Sequence, residues 1–216
     1  MSKLKSLADA LAALRDSASP KGRARYDRLV QHVIDSGALD DALKAGDRFP
    51  DFQLASADGR FVRLADVIAG GPAVLSFYRG EWCPYCSAEL NALADAAPEI
   101  RAAGATLAAI TPEAGGIALR TKVERGFDFE ILCDLDNSLA LECGLVFRLT
   151  EDVRAAYAAK GIDLARIYGN EAGLLPTPAT YIVGRDGQIA HAYVDPNFRY
   201  RLEPAEIVRV LQTLPR

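Results

Sequence analysis

One segment limits the fold of this chain more than any other: an apolar run that leads into two closely spaced cysteines. Residues 73–78 are almost entirely apolar, which is typical of a strand covered on both faces. Residues 84–103 then carry apolar side chains at helical spacing, and Gly104 follows them. Cys83 and Cys86 therefore stand where a buried strand passes into an amphipathic helix.

Short strands and helices alternate along the chain from about residue 46. Strands are predicted at residues 52–54, 61–64, 73–78, 106–110, 130–133, 180–183 and 188–193. Helices are predicted at residues 84–103, 117–124, 138–143 and 151–160, and from about residue 204 onward. Residues 161–175 are predicted to form a loop. This order predicts an α/β protein with a central mixed β-sheet flanked by helices.

Residues 1–44 are predicted to form an N-terminal helical extension. One face of its first helix is apolar, with Leu4, Leu7, Leu11 and Leu14 at helical spacing. The sequence Ser-Pro-Lys-Gly at residues 19–22 ends that helix, and a second helix runs from about residue 23 to 37. We expect this hairpin to serve in packing or in dimerisation. The chain thus divides into an extension, residues 1–44, and a domain, residues 45–216.

Charge and hydropathy exclude some kinds of partner. The net charge is −4, from 25 basic and 29 acidic residues, so no excess of positive charge attracts nucleic acid or an anionic membrane. Asp9 interrupts the apolar character of the N-terminus, and the apolar stretch at residues 67–78 is too short to span a bilayer. Four cysteines are too few for a disulfide-stapled secreted scaffold. We expect a cytoplasmic protein that binds neither nucleic acid nor a membrane.

The position of the cysteine pair favours redox chemistry. Pro84 suits the first position of the helix, which makes Cys83 the N-cap and places Cys86 in the first turn. Free backbone N–H groups and the helix dipole at that end lower a cysteine pKa from about 8.5 into the range of about 3.5–7.5. The resulting thiolate attacks disulfides or peroxides. Arg79 could add positive charge beside the sulfurs or remain a solvated loop residue.

Other roles for the cysteines and their neighbours have less support. A zinc site needs about four ligands, and the only histidines are His32 and His191. We therefore predict no metal, and no nucleotide-binding motif indicates a cofactor. Two inert, buried cysteines are a further alternative. Cys133 and Cys143 lie in apolar surroundings and are interpreted as packing residues.

Several motifs resemble the thioredoxin-fold superfamily, and within it peroxiredoxin-like proteins of the alkyl hydroperoxide reductase/thiol-specific antioxidant family. The resemblance covers residues 44–214. Its motifs are Gly-Asp-Arg-Phe-Pro-Asp-Phe-Gln-Leu at residues 46–54, the segment 74–90 with Trp-Cys-Pro-Tyr-Cys, Pro-Thr-Pro-Ala-Thr-Tyr-Ile-Val at residues 176–183, Val-Asp-Pro-Asn-Phe at residues 194–198, and Leu-Glu-Pro-Ala-Glu at residues 202–206. It implies a thioredoxin-like fold in which Pro178 takes the place of the cis-proline that faces the cysteine pair. Trp82 and Tyr85 are then a substrate-facing rim, or simply packing residues.

The chain also departs from the motif Pro-x-x-x-Thr/Ser-x-x-Cys that the family carries. In an ungapped match Cys86 takes the peroxidatic position, Cys83 replaces the hydroxyl residue, and Arg79 replaces the proline. Glu89 matches an acidic residue that often follows, whereas the family's later active-site arginine has no assigned match. The resemblance implies attack by Cys86, while the helix-cap argument favours Cys83, and both assignments stay open at this point.

We expect a thiol-based antioxidant enzyme that reduces hydrogen peroxide or organic hydroperoxides. One thiolate is oxidised to a sulfenic acid, and the neighbouring cysteine condenses with it to form a Cys83–Cys86 disulfide. A thioredoxin- or glutaredoxin-type donor restores the dithiol. One alternative is a protein thiol-disulfide oxidoreductase with little peroxidase activity. Another is a non-enzymatic redox-sensing module that associates through the N-terminal hairpin.

Overall fold

A mixed β-sheet of seven strands forms the centre of the protein, as seen in a computed structural model that describes residues 6–114 and 116–214. The strands in spatial order are β2 (Phe61–Arg63), β1 (Gln53–Ser56), β5 (Glu130–Cys133), β4 (Thr106–Thr111), β3 (Ala73–Phe77), β8 (Ala179–Val183) and β9 (Ile189–Val194). Strands β3, β4 and β5 are parallel, and the other pairings are antiparallel. Two further short strands, β6 (Val146–Arg148) and β7 (Leu174–Pro176), form an antiparallel pair of their own. The predicted α/β fold with a mixed sheet is confirmed.

Helices cover the sheet on both sides. The helices among the described residues are α1 (Leu7–Ser17), α2 (Pro20–Asp35), α3 (Leu64–Ile68), α4 (Pro84–Ala102), α5 (Ile117–Arg125), α6 (Ser138–Glu142), α7 (Glu151–Ala158), α8 (Leu164–Tyr168) and α9 (Pro204–Thr213). Helix α4 packs between α1 and α9 and lies over β4. No described helix is long and apolar enough to cross a membrane.

Strand β3 is buried on both faces, as its apolar sequence predicts. Val74 joins the core on the α4 side of the sheet, while Leu75 and Phe77 join the core on the opposite side. Because successive side chains of a strand point to opposite faces, a strand between two cores must be apolar at nearly every position. The strand fixes the start of the loop that leads to Cys83.

The N-terminal hairpin packs against its own chain. Leu7 and Leu11 of α1, and Leu29 and Val33 of α2, are buried in the same core as α4. The Glu203 carboxylate accepts hydrogen bonds from the first N–H groups of α1, at 2.6 Å from Ala8 N. The apolar stripe is therefore used in internal packing, and Leu4 lies outside the described residues.

Two local predictions are wrong, and one short helix has no counterpart among the predicted elements. Helix α2 begins at Pro20, because Ser19 caps it and the proline occupies its first turn. The short helix α3 was not predicted, and its five residues are too few to show a helical period. Residues 161–175 are not a plain loop, since they form α8 and β7. Helices α3 and α8 and strand β7 are short, with three to five residues each, so their sequences are too short to show a period.

Candidate active site

The cysteine pair lies in the loop and first helical turn that follow β3. Cys83 is the N-cap of α4, Pro84 is exposed at the first helical position, and Cys86 lies in the first turn. Ser87 N–H donates to the carbonyl oxygen of Cys83 at 3.0 Å. The sequence prediction of this local geometry agrees with the structure, and its physical basis is the proline that starts the helix.

Gly80 lets the loop pass close to the neighbouring strand. Its φ is +145°, and an added Cβ would lie 2.6 Å from Oε1 of Glu113. That carboxylate accepts a hydrogen bond of 2.9 Å from Glu81 N–H. Glu113 follows β4, so it ties the cysteine loop to the end of the adjacent parallel strand.

Both sulfurs are buried next to a pair of arginines. Cys83 is 2% exposed and Cys86 is fully buried, and both are free thiols. One guanidinium nitrogen of Arg201 lies 3.6 Å from Cys86 Sγ, and its Nε lies 2.7 Å from the Glu89 carboxylate. This ion pair is almost fully buried. Arg201 also donates to the carbonyl oxygens of residues 198 and 200, so its position is fixed.

Arg79 supplies the second positive charge and has no carboxylate partner among the described residues. It is 1% exposed, and its guanidinium lies 3.8 Å from the centroid of the Phe198 ring. Such a contact is an attractive cation–π interaction. Tyr168 donates to the carbonyl oxygen of Arg79 at 2.8 Å. Arg79 is therefore a buried site residue, and its alternative as a solvated loop arginine is excluded.

The charges around the pair stabilise one thiolate. Burial alone raises the pKa of Cys83, but hydrogen bonding from Cys86 and the charges of Arg79 and Arg201 lower it to about 6. Burial raises the pKa of Cys86 well above its usual range, and so do its hydrogen bond to Cys83 and the charge on that sulfur. At neutral pH the coupled pair therefore holds one negative charge, which both arginines stabilise.

The other predicted site residues take different positions. Trp82 is half-buried and packs edge-to-face on Tyr157, with ring centroids 5.1 Å apart. Tyr85 is buried against the rings of Tyr26 and Phe198, so it is a packing residue. Glu89 is the buried partner of Arg201, as described above.

Pro178 requires a correction. No described peptide bond is cis, so the Thr177–Pro178 bond is trans. The chain runs extended from β7 into β8, with Thr177 N–H donating to the Leu145 carbonyl oxygen at 2.8 Å. Pro178 is buried just before Ala179, which pairs with Phe77 of β3. It therefore lies near the end of the strand that leads to the cysteines, without the expected cis geometry.

Sequence reasoning missed two site residues, Arg201 and Glu113. Arg201 lies between two recognised motifs, residues 194–198 and 202–206, and nothing in its spacing showed that it would return to Cys86. Glu113 follows a parallel strand next to β3, and the rule that the carboxyl ends of parallel strands share one edge could have found it. No group of three potential metal ligands occurs among residues 6–114 and 116–214.

Comparison with known proteins identifies the family of this cysteine site. The sequence profile described as the AhpC/TSA family matches residues 45–192, a span that contains both cysteines. The chain belongs to the AhpC/TSA family.

Relatives of this AhpC/TSA protein are peroxiredoxins. The chain is 25% identical to peroxiredoxin Q of Oryza sativa subsp. japonica over 169 residues, which cover 78% of this chain and 67% of the relative. It is also 25% identical to a 1-Cys peroxiredoxin of Triticum aestivum over 183 residues, or 80% of this chain and 73% of the relative. The peroxiredoxin resemblance inferred from the motifs is confirmed.

Solved structures support the thioredoxin-like fold. The structure of peroxidoxin BcpB from Mycobacterium tuberculosis matches with a TM-score of 0.63 at 20% identity, over 81% of this chain and 99% of that one. Peroxiredoxin Q of Xanthomonas campestris matches with a TM-score of 0.59 at 17% identity, over 79% and 95%. At these identities the likeness concerns the fold, which is that of the peroxiredoxins.

Proposed function

We propose that this AhpC/TSA protein is a thiol-based antioxidant peroxidase that reduces hydrogen peroxide or organic hydroperoxides through Cys83 and Cys86. The observation that carries the proposal is the buried pair of free thiols, with an Arg201 nitrogen 3.6 Å from Cys86 Sγ and the charges of Arg79 and Arg201 lowering the pKa of Cys83. A thiolate next to fixed positive charge is the nucleophile that peroxide reduction requires. The peroxiredoxin relatives give the same reaction class.

The reaction balances with the two cysteines and an external reductant. The Cys83 thiolate attacks the terminal peroxide oxygen, the O–O bond breaks, and the leaving alkoxide or hydroxide takes a proton from water. The Cys83 sulfenic acid then condenses with the Cys86 thiol, which forms the disulfide and releases water. Two electrons from a donor dithiol restore the pair.

We assign the attack to Cys83 rather than to Cys86. The ungapped match to the family motif places Cys86 at the peroxidatic position, and an Arg201 nitrogen lies 3.6 Å from its sulfur. The pKa, however, is lowered at the N-cap sulfur, Cys83. Hydrogen bonding from Cys86 lowers the pKa of Cys83, and the same hydrogen bond raises the pKa of Cys86. Since the thiolate is the attacking species, Cys83 is the reactive sulfur of the reduced pair.

Burial of the pair favours a small oxidant over a protein disulfide. Cys83 is 2% exposed, and disulfide exchange requires the incoming sulfur to reach it directly. A peroxide is small enough to enter between side chains, whereas a folded substrate protein is not. A thioredoxin- or glutaredoxin-type donor is our proposal for the reductant, and its access requires the aromatic side chains around Cys83 to move aside.

Peroxide consumption and insulin-disulfide reduction, measured side by side with a thioredoxin system, test this function. We expect peroxide-dependent turnover and little insulin reduction; insulin reduction without peroxide turnover would contradict the proposal. Sulfenic-acid trapping after peroxide tests the assignment of the two sulfurs. We expect trapping at Cys83 in Cys86→Ser, and trapping at Cys86 in Cys83→Ser but not in the converse variant would reverse the assignment.

We also propose a cytoplasmic homodimer. A reducing compartment supplies the dithiol donor that the cycle needs. For the dimer contact we choose a groove of about 410 Å³ lined by Leu39, Leu43 and Val194, with Ile34 exposed beside it. Sedimentation velocity should give a dimer for the wild type and a monomer for Ile34→Glu. A monomeric wild type would refute the dimer.

A further inference from the structure

Arg201 reaches the cysteine pair from an irregular segment. Residues 195–203 connect β9 to α9 and belong to neither element. Arg201 donates hydrogen bonds to the carbonyl oxygens of residues 198 and 200, so its guanidinium is held by the backbone of its own segment. The contact of 3.6 Å between Arg201 and Cys86 Sγ therefore depends on where residues 198–201 lie.

Tyr26 of α2 lies between this segment and the helix that carries the cysteines. Its ring packs edge-to-face on Phe198, with centroids 5.3 Å apart, and on Tyr85, with centroids 6.5 Å apart. Phe198 and Tyr85 also pack on each other at 5.7 Å. Edge-to-face pairs attract beyond the effect of burial alone. The three rings therefore hold Phe198 against the residue that stands between the two cysteines.

The next two residues of the segment also contact the hairpin. Arg199 forms an ion pair of 2.8 Å with Asp27 of α2, and the Arg199 side chain is only 11% exposed. The guanidinium of Arg15, on α1, lies 5.0 Å from the centroid of the Tyr200 ring, which is an attractive cation–π contact. Both hairpin helices thus contact residues that directly precede Arg201.

A further contact lies on the other side of Arg201. The Glu203 carboxylate accepts hydrogen bonds from the N–H groups of Leu7 and Ala8 in the first turn of α1. Helix α1 also packs on α4. The hairpin therefore contacts the segment both before and after Arg201, and it joins that segment to the helix of the cysteine pair.

We propose that the N-terminal hairpin, through Tyr26 and Asp27, holds residues 198–201 in place and thereby positions Arg201 at Cys86. The inference rests on the proposed peroxidase function and adds two positioning residues to it. A cation that is fixed in advance stabilises charge at a reacting group better than one that must first be ordered. Both the hairpin and Arg201 lie outside residues 45–192, the span that the family profile matches.

Two substitutions in the full-length protein remove these contacts and keep the buried leucines of the hairpin. Tyr26→Leu removes the ring, and Asp27→Asn removes the charge. We expect the double variant to react with hydrogen peroxide about 10-fold to 100-fold more slowly than the wild type, because Arg201 is displaced. Stopped-flow fluorescence of Trp82, the only tryptophan of the chain, follows the oxidation of the adjacent Cys83.

The pH dependence of alkylation gives a second readout that needs no peroxide. Burial raises the pKa of Cys83, and the charge of Arg201 is among the influences that lower it. We expect the pH midpoint of iodoacetamide alkylation at Cys83 to rise by about one unit in the double variant, which is a tenfold change in the ionisation constant. Peptide mass spectrometry measures this midpoint.

Two control variants test the specificity of the effect. Tyr26→Phe keeps the ring and should behave like the wild type in both assays. Arg28→Met changes a residue beside Asp27 on the same helix, but Arg28 pairs with Asp152 at 3.8 Å and not with the segment. It should also keep the wild-type rate and midpoint. The same losses in Arg28→Met as in the double variant would overturn the inference.

A mutant cycle with Arg201→Lys separates positioning from a general effect on structure. Lysine keeps a positive charge beside Glu89 but lacks the planar fork of the guanidinium. If the hairpin acts through Arg201, adding Tyr26→Leu and Asp27→Asn to Arg201→Lys should slow the reaction much less than adding them to the wild type. Additive losses would overturn the inference, as would a wild-type rate and midpoint in the hairpin variant.

The remaining outcomes are also decisive. Should the hairpin double variant unfold, the exposed Asp27→Asn change alone decides by the same cycle, with a smaller loss expected. A wild type that does not react with peroxide would refute the proposed function. The alkylation midpoint would still test the hairpin in that case, because alkylation depends only on the thiolate.

Discussion

The chain has two sets of cysteines with different chemistry, although three of the four, Cys83, Cys86 and Cys143, are buried. Cys143 is as deeply buried as Cys86, yet burial and the charges of Asp134 and Glu142 raise its pKa. Burial and Glu113 likewise raise the pKa of Cys133. Around Cys83 the neighbours are two arginines and a hydrogen-bonding thiol, and its pKa falls to about 6.

This contrast shows that the neighbouring groups, and not burial, determine which thiol ionises. Removing a charged group from water is costly wherever it happens, so every buried thiol resists ionisation. Only fixed positive charges and hydrogen-bond donors reverse that penalty. The loop before α4 and the segment after β9 supply Arg79 and Arg201 to the pair, whereas burial and neighbouring carboxylates raise the pKa of Cys143 and Cys133.

The largest expected difference is in peroxide turnover, when one cysteine of each set is replaced by serine. We expect Cys83→Ser to lower peroxide turnover by at least about 1,000-fold, because it removes the nucleophile. Cys133→Ser should leave turnover unchanged. Turnover measured with a reductant in excess checks both variants, and equal losses would abolish the contrast between the two sets.

Removing the positive charge of Arg201 should destabilise the protein and bring the pKa of Cys83 closer to the raised pKa of Cys143. We expect Arg201→Met to lower the free energy of unfolding by about 3–5 kcal/mol, since Glu89 would stay buried without a partner. The pKa of Cys83 should rise as well. Arg209→Met is the matched control, because its pair with Glu206 is largely exposed and contributes at most about 1 kcal/mol. Denaturant unfolding should separate the two variants, and similar losses would contradict the prediction.

The pH dependence of alkylation should distinguish the cysteines within one sample. We expect the rate at Cys83 to fall about tenfold per pH unit below its pKa of about 6, where its thiolate becomes protonated. The half-buried Cys133, whose pKa is raised, should react only at alkaline pH. Peptide mass spectrometry after iodoacetamide treatment measures both rates. Identical pH profiles of alkylation for the two residues would show that their thiol pKa values do not differ.

The same shift affects stability with a definite sign. The pKa of Cys83 is lower in the folded protein than in the unfolded chain, where it is about 8.5. The thiolate therefore contributes stability above that value, and the contribution is lost as the pH falls toward 6. The oxidised protein has no thiol to titrate at this position, so its stability should not show this dependence.

The smallest effect is expected for Cys143→Ser. A hydroxyl buried without a partner costs about 1–3 kcal/mol, so the melting temperature should fall while peroxide turnover stays unchanged. Thermal unfolding and turnover measured on one preparation check this. A loss of turnover in a folded Cys143→Ser variant would give Cys143 a functional role that its surroundings do not support.

The fold and the cysteine pair could be predicted from the sequence because their signals are local. Strand β3 is covered on both faces, so its sequence is apolar at nearly every position, and Pro84 marks the start of α4. The two arginines differ in this respect. Arg79 is within the motif, but only the structure shows that it is buried, while Arg201 approaches Cys86 from 115 residues away.

Elements shorter than a helical repeat were also beyond sequence reasoning. Helices α3 and α8 have five residues each, so their hydrophobic pattern has too little length to be distinguished from a loop. The contact between Tyr157 and Trp82 has the same origin. It results from the packing of α7, which no spacing within the sequence reveals.

The ion arrangement at the pair also bears on its redox poise. When Cys83 and Cys86 join, the thiolate that Arg79 and Arg201 stabilise disappears. Arg201 keeps its ion pair with Glu89, whereas Arg79 loses its compensating charge. The oxidised form is thereby disfavoured relative to the dithiol, which makes the disulfide a stronger oxidant and easier to reduce. The charges that activate the thiolate toward peroxide thus also drive the return of the disulfide to its starting state.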